Sequence, residues 1–197
     1  MERVAVFIIS FNAARHLPRT LSRIPPEVYE RVEEIYVFDD CSQDDTFLTG
    51  VEFKAVRGLE KVRVYGNTRN LRYGGNQKRG YLYALDRGFD VVVLLHGDGQ
   101  YAPEVMWRLI EPLLAGEADM VFGTRMRGAG ALRGGMPLYK FIGNRVLTWI
   151  QNRLSGLHLS EFHSGYRAFR VEALRQVSFL RNSDEWHFDT QILLQFH

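Results

Sequence analysis

Five runs along the chain are nearly free of polar interruptions: VAVFII (4–9), IYVF (35–38), VRVY (62–65), VVVLL (91–95) and MVFG (120–123). Continuous β-branched and aromatic runs of this length predict strands, most of them buried on both faces. Helical spacing fills the intervals at 17–24, 76–87 and 103–114, the last opening with a proline suited to a first helical turn. The β-α-β alternation predicts an α/β domain with a mostly parallel central sheet and helices on both faces. Its ligand site is expected outside the carboxyl ends of the strands. After residue 125 the texture changes to a glycine-rich stretch, RMRGAGALRGG (125–135), and then a long helical pattern from 137 to about 154. Neither repeats nor a linker break the chain, so it reads as one domain over 1–197, and at its C-terminus it stops inside a helix-like pattern.

Polar clusters fall where that architecture wants a ligand. The first strand runs into Ser10-Phe11-Asn12, the second into DDCSQDDT (39–46), the fourth into HGDGQ (96–100), and the fifth into Gly123-Thr124-Arg125. If the backbone stays extended beyond Leu95, side chains two apart share a side, so His96, Asp98 and Gln100 converge. Oxygen and imidazole donors with arginines nearby suit a divalent cation, Mn²⁺ or Mg²⁺, and a nucleotide diphosphate. His96 has to be neutral to ligate a metal. Asp40 sits at the rim and is expected to contact ligand, whereas among Asp44, Asp45 and Thr46 a helix-capping role is expected. Neither GxGxxG after the first strand nor GxxxxGK[ST] occurs, which argues against a Rossmann dinucleotide site and a P-loop.

Composition narrows the partners. Lys+Arg of 25 against Asp+Glu of 23 nets +2, too balanced for a general nucleic-acid binder. Only four of those cations are lysines, and guanidinium is the better bidentate partner for phosphate. A single cysteine, Cys41, excludes an internal disulfide and points to a reducing, cytoplasmic setting. No apolar stretch approaches the ~18 residues of a spanning helix, although peripheral contact with the inner face of a membrane stays open. The oligomeric state is not readable.

The ordered segments IISFN, DDCSQDDT, NLRYGGN, HGDGQ, GTR and SGYRAFR (164–170) resemble glycosyltransferase family 2. Within it they are most similar to the branch of dolichyl-phosphate mannose synthase and bacterial polyprenyl-phosphate glycosyltransferases. The resemblance covers nearly the whole chain. It implies a Rossmann-like GT-A fold, with 1–125 binding the nucleotide sugar and 126–197 the acceptor. By position it implies that Phe11, Asn12 and Asp40 hold base and ribose, joined by Asn70 and Lys78, while His96, Asp98 and Gln100 hold cation and diphosphate. Arg125 and Arg167 would face the phosphates at the donor–acceptor junction, and Glu161 would lie on the acceptor side. Three departures stand out: His96 replaces the first carboxylate of the metal motif, Arg72 stands where relatives usually have glycine, and Gln191 where they tend to have glutamate.

The implied reaction is inverting transfer of a sugar from a UDP- or GDP-sugar, with charge on the leaving diphosphate stabilised at the cation site. A polyprenyl phosphate, already anionic, needs no base. A saccharide hydroxyl needs a carboxylate, for which Asp184, Glu185 and Asp189 in SDEWHFDT (183–190) are candidates, with Glu161 in reserve. Helix capping is the alternative for Asp184. Trp186 could stack on a sugar ring, whereas Trp107 and Trp149 are expected in the core. The 125–135 stretch is expected to be a lid over the donor. A non-catalytic nucleotide-binding module remains the rival reading. A nucleotidyltransferase is disfavoured because IISFNAARHLP has no glycine-rich phosphate loop.

Overall fold

The computed structural model describes residues 2–124, 126 and 136–197. Strands form at Val4–Ser10 (β1), Glu34–Asp39 (β2), Val62–Gly66 (β3), Val91–His96 (β4), Met120–Phe122 (β5) and Arg167–Arg170 (β6), in the sheet order β3-β2-β1-β4-β6-β5. β1 pairs in parallel with β2 and with β4, and β2 in parallel with β3. β6 runs antiparallel between β4 and β5, so the C-terminal part of the chain supplies a strand inside the sheet. The expected mostly parallel α/β architecture is therefore present.

The unbroken apolar character of β1 follows from its place. Val4, Val6 and Ile8 face one core with Leu17 and Leu21 of α1 (Leu17–Ser22), Val28 of α2 (Pro26–Arg31), and Leu109, Ile110 and Leu113 in the helix Trp107–Leu114. Ala5, Phe7 and Ile9 face a second core with Tyr36, Phe38 and the C-terminal Phe188 and Ile192. Alternation of side is preserved but both sides are dry, so no polar period appears. The two remaining helices of the first half are α3 (Thr46–Arg57) and α4 (Arg72–Arg87). A Cβ on Gly80 would come within 2.1 Å of the Phe7 ring, so glycine there lets α4 lie flush on β1. Fully burying that ring contributes about 1.5–3 kcal/mol.

The long C-terminal pattern forms the helix Leu138–Ser155. One expectation fails on it: Trp149 is 67% exposed, because the helix turns its polar side, including Thr148, to the protein. Trp107 is half-buried against the first core and carries the Arg31 guanidinium 3.5 Å above its ring. Among the described residues no helix is long and apolar enough to cross a membrane.

Candidate active site

The sheet order reverses direction between β1 and β4, and ligand crevices of open α/β sheets form at such a switch point, outside the carboxyl ends of the strands. A cleft of about 300 Å³ opens there. The ends of the flanking strands are tied together: Gly97 N–H donates to Ile9 O at 2.9 Å, and Asp40 N–H donates to Ser10 O at 2.9 Å. Phe11, Asp40, Asn70, His96, Asp98, Glu185 and Trp186 line the cleft together with Ser10, Arg72, Tyr73 and Asn76.

On the β2 side Asp40 is nearly sealed, and its Oδ1 accepts from Asn67 Nδ2 at 2.7 Å and from Leu71 N at 2.8 Å. These donors fix the carboxylate at the cleft wall in one orientation. Asn12 differs from expectation. Its backbone takes the left-handed conformation at φ +49, its Oδ1 accepts from Gln43 N at 2.8 Å and its N–H donates to Ser42 Oγ at 2.8 Å, so it pins the 41–44 loop. Ser42 in turn donates to Asp39. Burial raises the Asp39 carboxyl above its ordinary value, partly offset by Ser42. Asp44 accepts from Ala14 N at 3.1 Å and Thr46 N at 3.0 Å, whereas the residue at the N-cap of α3, Asp45, makes no side-chain cap hydrogen bond.

On the β4 side the chain turns rather than staying extended. The strand ends at His96, and Gly99 sits at φ +76, a conformation glycine adopts without strain. The three residues still meet: Gln100 Nε2 lies 2.8 Å from His96 Nδ1, and Gln100 N–H donates to Asp98 Oδ1 at 3.0 Å. Thr20 Oγ1 donates to Gly97 O at 3.2 Å and Arg23 Nη1 to Gly99 O at 3.1 Å, so α1 and the residue after it brace the turn.

The far side of His96 was not foreseen. Its Nε2 lies 3.2 Å from Tyr73 Oη, and that hydroxyl donates to Asp189 Oδ2 at 2.8 Å. Burial, with the Asp189 charge next, raises the Tyr73 phenol well above its ordinary value, so its proton stays on. The single Tyr73 proton goes to a carboxylate that can only accept, which leaves His96 Nε2–H as the donor to Tyr73. Nδ1 then accepts from Gln100. In this arrangement His96 is hydrogen-bonded to Tyr73 on one ring nitrogen and to Gln100 on the other. Among the described residues no group of three or more His, Cys, Asp or Glu side chains forms a cation cage. Asp98 is exposed and lines the cleft.

Other expected site residues are used to build the walls. The Arg167 side chain is 1% exposed and donates to Ser164 O at 2.7 Å, Phe162 O at 3.0 Å and Asp189 O at 2.5 Å. It therefore locks the 162–164 loop to the 189 segment instead of facing phosphates. Glu161 is fully buried, accepting from Thr124 Oγ1 at 3.2 Å and from Asn144 Nδ2 at 3.5 Å, and does not line the cleft. Lys78 pairs with Asp184 at 2.7 Å and also donates to Asn182 O, so neither Lys78 nor Asp184 reaches the cleft. Asp184 does not cap a helix either: the next one, Phe188–Gln195, has His187 at its N-cap. Its carbonyl accepts from Gly74 N at 2.6 Å, an approach possible because a Cβ on Gly74 would meet Ser183 O at 2.4 Å. Arg125 lies outside the described residues, as does the expected lid, apart from Met126.

Two cleft features came from the NLRYGGN segment without being singled out as site residues. Arg72 takes the left-handed conformation at φ +68, supported by its N–H donating to Asn70 Oδ1 at 2.8 Å, and its guanidinium pairs with Glu185. Tyr73 stacks on Trp186 with ring centroids 4.2 Å apart, and Trp186 remains 70% exposed at the cleft mouth.

A doubly wound sheet with a nucleotide-sized cleft at its switch point, walled by an oriented aspartate and floored by a strand-end Gly-Asp-Gly turn, defines a domain of the GT-A type. The chain belongs to glycosyl transferase family 2, whose model matches residues 5–178. It is similar to undecaprenyl-phosphate mannosyltransferase of Micrococcus luteus, 31% identical over 181 residues that cover 89% of this chain and 69% of that protein. It is also similar to polyprenol monophosphomannose synthase of Mycolicibacterium smegmatis, 30% identical over 179 residues, covering 89% and 64%. In fold it matches glucosyl-3-phosphoglycerate synthase from Mycobacterium tuberculosis in complex with Mn²⁺, UDP and glucosyl-3-phosphoglycerate, with a TM-score of 0.69 at 19% identity, covering 98% of this chain and 64% of that one. This chain thus spans about two thirds of the length of these proteins.

Proposed function

We propose that the cleft binds a nucleotide diphosphate sugar and that the chain transfers the sugar, with inversion, to a phosphate-bearing acceptor of the polyprenyl-phosphate kind. The observation that carries the reading is that Asp40, just past β2, and Asp98, just past β4, line one switch-point cleft together with Arg72. Asp40, held by two donors, is suited to a base or ribose N–H or O–H, and Phe11, half exposed, to stacking on the base. Asp98 would hold a divalent cation together with the two phosphates, since Mg²⁺ and Mn²⁺ sites need only one or two protein carboxylates when phosphate oxygens complete the shell. Such a cation would supply Lewis-acid stabilisation of the departing diphosphate. Arg72 places a guanidinium at the same cleft, suited to phosphate oxygens, and Trp186 offers an aromatic face to the sugar.

The carboxylates support this acceptor class. Glu185 is paired with Arg72, Asp184 with Lys78, and both Asp189 oxygens accept hydrogen bonds, from Tyr73 at 2.8 Å and Gln77 at 3.1 Å. The three candidate carboxylates of the 183–190 segment are thus each engaged by another side chain, and an acceptor that is already an anion needs no such group. The names of the relatives above, which refer to undecaprenyl phosphate and polyprenol, point the same way. On this reading residues 1–125 hold the donor and 126–197 the acceptor. Product analysis with UDP- and GDP-sugars against a polyprenyl phosphate and against free saccharides tests it. Transfer to the lipid phosphate is expected. Transfer only to hydroxyls contradicts the acceptor class, and nucleotide binding with neither transfer nor slow sugar release favours a binding module.

A further inference from the structure

The segment 182–186 is strapped to the first turns of α4. Lys78 Nζ donates to Asp184 Oδ1 at 2.7 Å and to Asn182 O, Gly74 N–H donates to Asp184 O at 2.6 Å, and Trp186 stacks on Tyr73 with ring centroids 4.2 Å apart. Ser183 is tied in turn: its N–H donates to Gln191 Oε1 at 2.7 Å, and its hydroxyl accepts from Glu185 N at 3.1 Å. These contacts hold the backbone of the strap. The Arg72–Glu185 ion pair is of another kind. Its side chains are 67% and 43% exposed, and both residues line the cleft. An ion pair in that much water contributes little to the fold, so the strap stands without it.

Arg72 has a fixed backbone beneath its exposed side chain. Its N–H donates to Asn70 Oδ1 at 2.8 Å, and the preceding Leu71 N–H donates to Asp40 Oδ1 at 2.8 Å. The Cα is therefore set beside Asp40 at the cleft wall, and only rotations of the side chain bring the guanidinium to a new partner. A diphosphate carries more charge than a carboxylate and can take a guanidinium through two parallel N–H bonds, whereas Glu185 Oε1 is reached through Nη1. Both anions at one guanidinium would stand close together and repel.

We infer that Glu185 competes with the diphosphate of the bound nucleotide for Arg72, yielding the guanidinium as the nucleotide enters and reclaiming it as the spent nucleotide leaves. Glu185 is thus a positioning residue that acts through Arg72, and it weakens the hold of the cleft on spent nucleotide. The inference rests on the nucleotide-diphosphate reading above and adds to it the residue that sets the affinity.

Calorimetric titration of UDP and GDP with Mn²⁺ at low ionic strength tests it, in wild type, Glu185→Gln, Arg72→Ala and the double variant. Glu185→Gln is expected to tighten binding about two- to fivefold, the worth of an exposed ion pair. Arg72→Ala is expected to weaken it. In the Arg72→Ala background Glu185→Gln is expected to change the affinity by less than about 1.5-fold, since the two residues act as one unit. Glu185→Ala, which leaves no amide in place of the carboxylate, is expected to repeat the result. An equal gain in both backgrounds overturns the inference, because Glu185 would then repel the ligand without Arg72. Unchanged or weaker binding by Glu185→Gln also overturns it, the weaker case placing Glu185 among the ligand's own contacts. If neither nucleotide binds wild type, the nucleotide reading itself fails and this inference falls with it, an outcome distinct from binding that ignores Glu185.

Discussion

His96 and Gln100 face each other across the end of β4, imidazole Nδ1 to side-chain amide at 2.8 Å. The pair closes a chain of hydrogen bonds that runs on through Tyr73 to Asp189, a residue held on its other oxygen by Gln77 at 3.1 Å. His96 thereby links the end of β4 to the C-terminal segment.

Removing one link should leave a buried acceptor short of a donor. Tyr73→Phe keeps the ring against Trp186 but takes the proton from Asp189, which is 6% exposed. Loss of a hydrogen bond to a buried charged group costs about 1.5–3 kcal/mol. Urea denaturation should show a destabilisation of that size, and a change below about 0.5 kcal/mol would contradict the network.

At position 72 the usual order of alanine and glycine in helices should invert. Arg72 is left-handed at φ +68, where a side chain costs about 1–2 kcal/mol that glycine avoids. Both Arg72→Gly and Arg72→Ala lose the exposed pair with Glu185, but only alanine keeps the strain. Arg72→Gly is therefore expected to melt above Arg72→Ala, while both bind nucleotide diphosphate more weakly than wild type. Equal or reversed melting temperatures would show that the backbone there is not left-handed in solution.

Ser10 Oγ is buried beneath Gly97, and among the described residues it has no hydrogen-bond partner. Ser10→Ala removes an unsatisfied polar group, so thermal stability should hold or rise by up to about 1 kcal/mol. If nucleotide affinity drops in the same variant, the hydroxyl belongs to the ligand shell. A loss of stability without ligand would mean that the group is already satisfied.

The turn that carries Asp98 is braced by Arg23, whose pair with Glu104 at 2.8 Å lowers that carboxyl below its ordinary 4.5, against a smaller opposing effect of burial. A carboxylate with a depressed folded pKa contributes stability above its unfolded value and loses it as pH falls through the folded one. Wild type should exceed Glu104→Gln at neutral pH by less than about 1 kcal/mol, since the pair is solvent-exposed. The difference should vanish below pH 4.5, read by denaturant titration across that range. A difference that grows on acidification would contradict the assignment.

The strand ends, and with them the cleft, were legible because strands buried on both sides write themselves as unbroken apolar runs. β6 was not. Its four residues, RAFR, carry an arginine whose charge is satisfied by carbonyls supplied from elsewhere in the chain, and no local pattern announces that. The Tyr73–Asp189 bond joins residues 116 apart, and Lys78 finds Asp184 across a similar interval. Spacing within a motif cannot tell a cleft residue from a wall residue when the partner is that distant. Trp149 misled for the opposite reason, since helical periodicity marks an apolar face without saying which way it points.

The central claim is that Asp98 and Asp40 bound one nucleotide diphosphate site. Calorimetric titration of UDP and GDP, with and without Mn²⁺, into wild type and Asp98→Ala tests it most directly. The account predicts that one nucleotide binds in a metal-dependent way, and that Asp98→Ala lowers the affinity measured with Mn²⁺ by about tenfold or more, close to the affinity seen without metal. Binding that ignores the metal, or that survives Asp98→Ala unchanged, would contradict it.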